Sequence, residues 1–339
     1  MQVVLKCYIK ISKLFKKRGA ANEEWGGSMK ILVTGAAGYI GSILTPLLLQ
    51  EKHEVIALDN LMYNQETPLS NCCHYPGFEP IFGSTTNTEL LKELIKKVDC
   101  IIPLAALVGL DACNNDPVAA TATNLEAINL ILRLRSKSQI IIYPNSNSGY
   151  GIGQEGIYCT EKTPLKPLTL YGRTKVEAEK AVMSDGNAIT FRLGTVAGVS
   201  PRIRLDLMVN EFVLRALTDR CVTLYGAHFK RNFVHVRDVA KAFIHGINNF
   251  DKMNGEVYNV GLNDINMSKL ELCQEIQKQI PNFYFHEAPM GEDPDKRNYI
   301  VSNAKLEKAG FKATITLSET ITELIKGLRL IRPRQYKNA

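Results

Sequence analysis

The sequence predicts an α/β chain built on a doubly wound parallel sheet, with a smaller portion following it toward the C-terminus. Three observations carry this. Short β-branched runs alternate with helical stretches from Met29 onward, and a glycine-rich turn separates the first run from the first helix. In addition, 339 residues at 45% hydrophobic suffice for one large core and an appendage.

The elements follow in order. Residues 30–34 (KILVT) read as a buried strand and residues 40–50 as a helix with an apolar face. Residues 54–58 form a second strand and 99–103 a later one; 117–135 are helical, and 139–143 are another strand. Nearly continuous apolar strands separated by helices indicate a parallel sheet covered on both faces, which binds ligands at the carboxyl ends of its strands. After Arg192 the signals mix, as loops at Gly198, Pro201 and Gly226 interrupt helices at 206–218 and 236–249. The expected organisation is therefore a basic extension over 1–28, a nucleotide-binding domain over 29–192, and a substrate-binding portion over 193–331 interleaved with the last sheet elements.

The net charge is +7, but residues 1–28 carry six basic and two acidic side chains, which is +4 and leaves +3 for the rest. So mild an excess suits an anionic small ligand better than nucleic acid. The eight cysteines show no CxxC spacing and no histidine-rich partner, which points to reduced thiols in a cytoplasmic protein, with no metal site. No apolar run approaches the roughly eighteen residues of a membrane span. The first segment lacks the apolar core and cleavage site of a secretory signal. A transit peptide or a membrane-surface helix is one reading of it. The other is that Trp25-Gly26-Gly27, whose codons are G-rich, reflects a ribosome-binding site read through as protein, with Met29 the native start.

Gly35, Gly38 and Gly41 lie between the first strand and the first helix, with Tyr39 and Ile40 inside the run. Glycine allows the tight turn and lets backbone N–H groups approach a pyrophosphate at the positive end of a helix. The arrangement is that of a Rossmann-type dinucleotide site. Asp59, followed by Asn60 at the end of the second strand, stands where an acid binds adenosine ribose hydroxyls and repels a 2′-phosphate. NAD is therefore expected rather than NADP.

Tyr171 and Lys175 open a helical stretch at i, i+4 spacing and share a face. A tyrosine titrates near ~10, and a neighbouring ammonium stabilises its phenolate. Such a phenolate takes a proton from a hydroxyl while NAD accepts hydride from the same carbon. The strand ending at Tyr143 runs into Pro144-Asn-Ser146-Asn-Ser148-Gly-Tyr150-Gly151, where either serine could hold the reacting oxygen.

Taken together, the glycine run, Asp59, Leu104-Ala105-Ala106, Asn124, the Ser146, Tyr171 and Lys175 set, and residues 231–238 (RNFVHVRD) resemble the extended short-chain dehydrogenase/reductases of the sugar-nucleotide epimerase/dehydratase group. The resemblance runs from Met29 to about Leu328. It implies that the catalytic hydroxyl lies four residues before Tyr150, which selects Ser146 over Ser148. It also implies that Lys175 holds the nicotinamide ribose, that Asn124 steadies the lysine through the backbone, and that Arg231 binds a substrate diphosphate. A homodimer through the helices of Asn124 and Tyr171 is implied as well.

The departures are informative. The chain reads Arg192-Leu-Gly-Thr195 where the epimerases often carry Arg-x-Phe-Asn, and Gly83-Ser84 replaces their Gly-Asp near the adenine. Asn147-Ser148 stands where the dehydratases carry Asp-Glu, so their acid/base pair is missing. Segments 104–109, 143–153, 200–206 and 291–297 resemble bacterial GDP-manno-heptose 4-dehydrogenases. That likeness implies oxidation at C4 of a GDP-heptose in surface polysaccharide synthesis, with Arg202, Arg204 and Arg297 contacting the diphosphate or sugar. Asp293 or Asp295 would then meet the guanine or ribose, although a solvated acidic loop is the plainer reading of both. The rival readings are a 4-epimerase, which shares every residue named, and a non-catalytic NAD sensor.

Overall fold

The computed structural model describes residues 27–64, 67–263 and 265–331. The expectations for residues 1–28 fall almost wholly outside them. Seven strands form the main sheet: β1 (Lys30–Thr34), β2 (Glu54–Asp59), β3 (Phe78–Phe82), β4 (Cys100–Pro103), β5 (Ile140–Ser146), β6 (Ala188–Leu193) and β7 (Val257–Val260). Their order is β7-β6-β5-β4-β1-β2-β3, and every pair is parallel. The direction of winding reverses between β1 and β4, and the glycine-rich turn after β1 lies at that switch point.

Alternation along the strands builds two cores. Ile31 and Val33 face one side, where they join a cluster with Leu44 and Leu48 of α1 (Gly41–Gln50) and Phe243 of the later helix Val236–Asn248. Leu32 faces the other, in a cluster with Leu91 and Ile95 of α2 (Thr88–Ile95), Ile128 and Ile131 of α3 (residues 117–134), and Val182 of α4 (Leu170–Asp185). A third core, formed by helices Met208–Thr218, Lys269–Gln279 and Leu317–Leu328, supports the C-terminal portion. That portion contributes β7 to the main sheet and also holds a small sheet in which Lys230–His235 pairs with Thr195–Ala197 and Asn266–Ser268.

One sequence expectation changes in detail. The helix over 117–135 contains a π-helical turn, Ala122–Glu126, between α-helical segments Pro117–Thr121 and Ala127–Leu134. The turn carries Asn124, whose side chain is buried and satisfied outside the helix. The inserted residue re-aims it, which periodicity alone does not signal. Among the described residues no helix is long and apolar enough to cross a membrane.

Candidate active site

The glycine-rich turn is constrained by its neighbours. Gly35 adopts φ +67°, and a Cβ there would lie 2.7 Å from the Ala105 nitrogen in the loop after β4. At Gly41 a Cβ would lie 2.4 Å from the Gly35 carbonyl oxygen. Asp59 braces the turn: one carboxylate oxygen accepts from the Ala37 N–H at 2.9 Å and the other from the Leu61 N–H at 2.8 Å. Tyr39 reaches across to the C-terminal portion, its hydroxyl donating to the Gly198 carbonyl at 2.7 Å while Asn210 donates to it at 3.3 Å. Ser200 donates to the Tyr39 carbonyl at 2.7 Å, so the turn and the 198–206 loop are clasped together.

A single cavity of about 1200 Å³ is lined by the turn, by Asp59 and Asn60, by Leu104, Ala105 and Ala106, and by Ser146, Tyr171 and Lys175. Gly38, Ile40, Arg202, Arg204, Arg231 and Arg297 line it too. Asn124 does not. Its amide accepts from the Leu107 N–H and donates to the Leu107 carbonyl, both at 2.9 Å, so it fixes the loop after β4 from behind.

Tyr171 and Lys175 sit in the first turns of α4, where Thr169 caps the helix by accepting from the Gly172 N–H. Tyr171 lines the cavity together with Ser146 at the end of β5. Burial raises the Tyr171 pKa, and Arg204, Arg297 and the Ser146 side chain pull it back. Lys175, one turn further along the same helix, places its ammonium over the Tyr143 ring at 4.2 Å from the centroid. Burial brings Lys175 itself down to about 7, partly opposed by Glu179.

The arginines converge from two loops and from the strand Lys230–His235. Arg202 stacks 4.4 Å from the centroid of the Tyr63 ring. Arg204 pairs with Asp206 at 2.5 Å and donates to the Val108 carbonyl at 3.4 Å. Arg231, 1% exposed, is buried rather than a surface charge; it donates to the Lys230 and Arg297 carbonyls and meets Asp295 at 3.4 Å. Arg297 forms a two-pronged pair with Asp295. Burial works against the Asp295 charge, but Arg297 and Arg231 outweigh it and hold the group at about 2. Asp293 is ion-paired with Lys269. Both aspartates are thus structural partners of buried cations, contrary to the solvated loop expected. Local sequence gives a lone Asp-x-Asp no sign of a cation brought from another element.

Asn147 and Ser148, which stand in the dehydratases' acid/base positions, are 1% exposed and do not line the cavity. Sequence reasoning passed over Tyr63, Lys269, Asn145 and Glu179. Only Glu179 left a local signal, one helical turn beyond Lys175 on the same face.

A parallel sheet with a glycine turn at its switch point, and a serine, tyrosine and lysine set between that turn and an arginine-lined cavity, defines a dinucleotide-dependent dehydrogenase of the short-chain type. Residues 31–261 match the NAD dependent epimerase/dehydratase family, and the chain belongs to it. It is accordingly an NAD-dependent enzyme, which removes the non-catalytic sensor reading. The chain is 33% identical over 250 residues to a Bacillus subtilis protein described as an uncharacterized UDP-glucose epimerase, covering 69% of this chain and 77% of that one. It is 27% identical over 296 residues to the UDP-glucose 4-epimerase of Lactobacillus helveticus, covering 79% and 87%. The crystal structure of dTDP-glucose 4,6-dehydratase from Bacillus anthracis with NAD superposes with a TM-score of 0.78 at 23% identity, over 89% of this chain and 97% of that one.

Proposed function

We propose that the enzyme oxidises C4 of a nucleotide-linked sugar, a GDP-manno-heptose, to the 4-keto sugar for surface polysaccharide synthesis. The observation that carries this reading is the convergence of four separate segments. Residues from 104–109, 144–146, 202–206 and 293–297, where the likeness to GDP-manno-heptose 4-dehydrogenases lies, all line one cavity with Tyr171. The division into a nucleotide-binding domain over 29–192 and a substrate-binding portion over 193–331 belongs to the same reading, as do a homodimer and a cytoplasmic location.

The residues present suit NAD. A cradle that a Cβ at Gly35 would fill, and a carboxylate at the end of β2 with lone pairs left after its two backbone bonds, are what a pyrophosphate and a ribose diol need. Gly35, Gly38, Tyr39, Ile40, Gly41, Asp59, Asn60 and the 104–106 loop would hold it, with Lys175 on the nicotinamide ribose. When bound, NAD supplies the acceptor for the hydride of the substrate C4–H bond. Tyr171 takes the proton of the C4 hydroxyl through its phenolic oxygen, and Ser146 holds the same substrate oxygen. Arg204 and Arg297 favour the phenolate that accepts the proton. Arg202, Arg204, Arg231 and Arg297 all line the cavity, and guanidinium groups suit the paired oxygens of a diphosphate. The burial of the neutral Asn147-Ser148 pair away from the cavity speaks against dehydration.

A 4-epimerase is the second reading, favoured by the names of the relatives in Bacillus subtilis and Lactobacillus helveticus. Incubation with GDP-heptose, GDP-mannose and UDP-glucose separates the two, with nicotinamide absorbance and product mass as readouts. A product lighter by two hydrogens, with reduced cofactor, is expected from the heptose. Unchanged mass with an altered sugar NMR spectrum would establish epimerisation instead. Inertness toward all three would remove the substrate assignment.

A further inference from the structure

Strand β5 and helix α4 meet along a ladder of buried polar pairs. Tyr143 and Asn145 are two residues apart on β5 and point to one face, while Lys175 and Glu179 are one turn apart on α4. The Lys175 Nζ lies over the Tyr143 ring at 4.2 Å. One rung further on, Asn145 Nδ2 donates to Glu179 Oε2 at 2.5 Å. Arg192, opposite Asn145 in the β5–β6 register, donates to the same carboxylate from Nε at 3.0 Å and Nη2 at 2.6 Å. Its remaining nitrogen donates to the Tyr150 hydroxyl at 3.0 Å and the Glu161 carbonyl at 3.2 Å, and Tyr150 donates onward to Asn259 at 2.7 Å.

Asn145, Glu179 and Arg192 are 2%, 4% and 5% exposed. A buried ion pair this well satisfied holds its members in one geometry, because any displacement leaves a charge without its partner. The other end of Asn145 reaches the reacting centre. Its Oδ1 accepts the Ser146 N–H at 2.7 Å. Ser146 Oγ in turn accepts the Ser148 N–H at 3.1 Å, which leaves its hydroxyl proton to be directed into the cavity that Tyr171 also lines.

We propose that Asn145 is a positioning residue: clamped between the Glu179–Arg192 pair and the Ser146 backbone, it sets the Ser146 hydroxyl against the Tyr171 phenol. This rests on the reading that Ser146 and Tyr171 are the reacting pair. Asn145 acts through Ser146 because both ends of its side chain are engaged within the protein. Without it, the Ser146 N–H loses its acceptor and the strand end is released from the rigid pair behind it. The Ser146 hydroxyl then no longer favours the phenolate.

The test follows the Tyr171 phenol directly and needs no sugar substrate. The NAD-loaded full-length protein carries [ζ-¹³C]tyrosine, the Tyr171 resonance is assigned by its loss in Tyr171→Phe, and it is titrated by NMR in wild type, N145A, S146A and the double variant. Arg204, Arg297, Cys113, Tyr143 and Lys175, the other titratable groups around the phenol, are present in all four. Loss of one hydrogen bond to a phenolate raises its titration midpoint by about one pH unit. N145A and S146A are each expected to show that rise, and the double variant is expected to rise no further than S146A. Additive shifts, or a Tyr171 curve in N145A that follows wild type while S146A moves it, would overturn the proposal. A wild-type curve in S146A would instead sink the Ser146–Tyr171 reading, and the inference with it. N145S, too short to bridge Glu179 and the Ser146 N–H, carries the same expectation should N145A fail to fold.

Discussion

The Lys175 ammonium sits 4.2 Å from the centroid of the Tyr143 ring, whose hydroxyl donates to the Lys175 carbonyl at 3.4 Å. An aromatic face stabilises a cation, yet burial here is the larger effect and holds the lysine at about 7 against its ordinary 10.5. The residue that spacing assigns to charging its neighbour is thus itself poised near neutrality.

Between about 7 and 10.5 the unfolded chain binds a proton at Lys175 that the folded protein does not. The cost of burying the charge is therefore full below pH 7 and is relieved as pH rises toward 10.5. Replacing Lys175 with Met is expected to raise stability relative to wild type at pH 6. That advantage should shrink by up to about 1.4 kcal/mol per pH unit as the solution is made alkaline. Urea unfolding of the two nucleotide-free proteins over this range reads the difference, and parallel curves would show that the lysine keeps its proton.

Tyr171→Phe removes the proton acceptor and leaves the ring. Turnover should fall about 100- to 10,000-fold, the range of general acid–base catalysis, while bound NAD measured after denaturation stays at the wild-type level. Undiminished turnover would reassign the base.

Asp59→Ala deletes both the acceptor for two backbone N–H groups and the carboxylate offered to a ribose. NAD binding is expected to weaken roughly 10- to 100-fold, the loss of hydrogen bonds to one charged group, and NADP to gain relative to NAD. Calorimetry with both nucleotides decides the point. An unchanged ratio would confine Asp59 to bracing the turn.

Gly35→Ala forces a side chain into a left-handed backbone at φ +67°, with its Cβ 2.7 Å from the Ala105 nitrogen. The combined strain and overlap should cost about 2–4 kcal/mol, seen as a lower thermal midpoint, together with loss of NAD retention. A variant that melts and binds like wild type would mean that the two loops separate freely.

What the sequence determined by itself is everything that near neighbours in the chain encode. Apolar runs marked the strands, the glycine spacing marked the turn after β1, and i, i+4 spacing put Tyr171 and Lys175 on one face, because backbone period and steric freedom are local properties. Even the capped start of α4 is legible at Thr169. Tertiary structure alone decided which charges meet. Arg231 and Asp295 are 64 residues apart, and Asn124 and Leu107, or Asn145 and Glu179, are joined across separate elements. The π-helical turn that aims Asn124 at Leu107 leaves no periodic trace. Burial raises the Tyr171 pKa, and Arg204 and Arg297, brought in from loops distant in the sequence, oppose it, because in a desolvated site charges act by their distance in space and not in the chain.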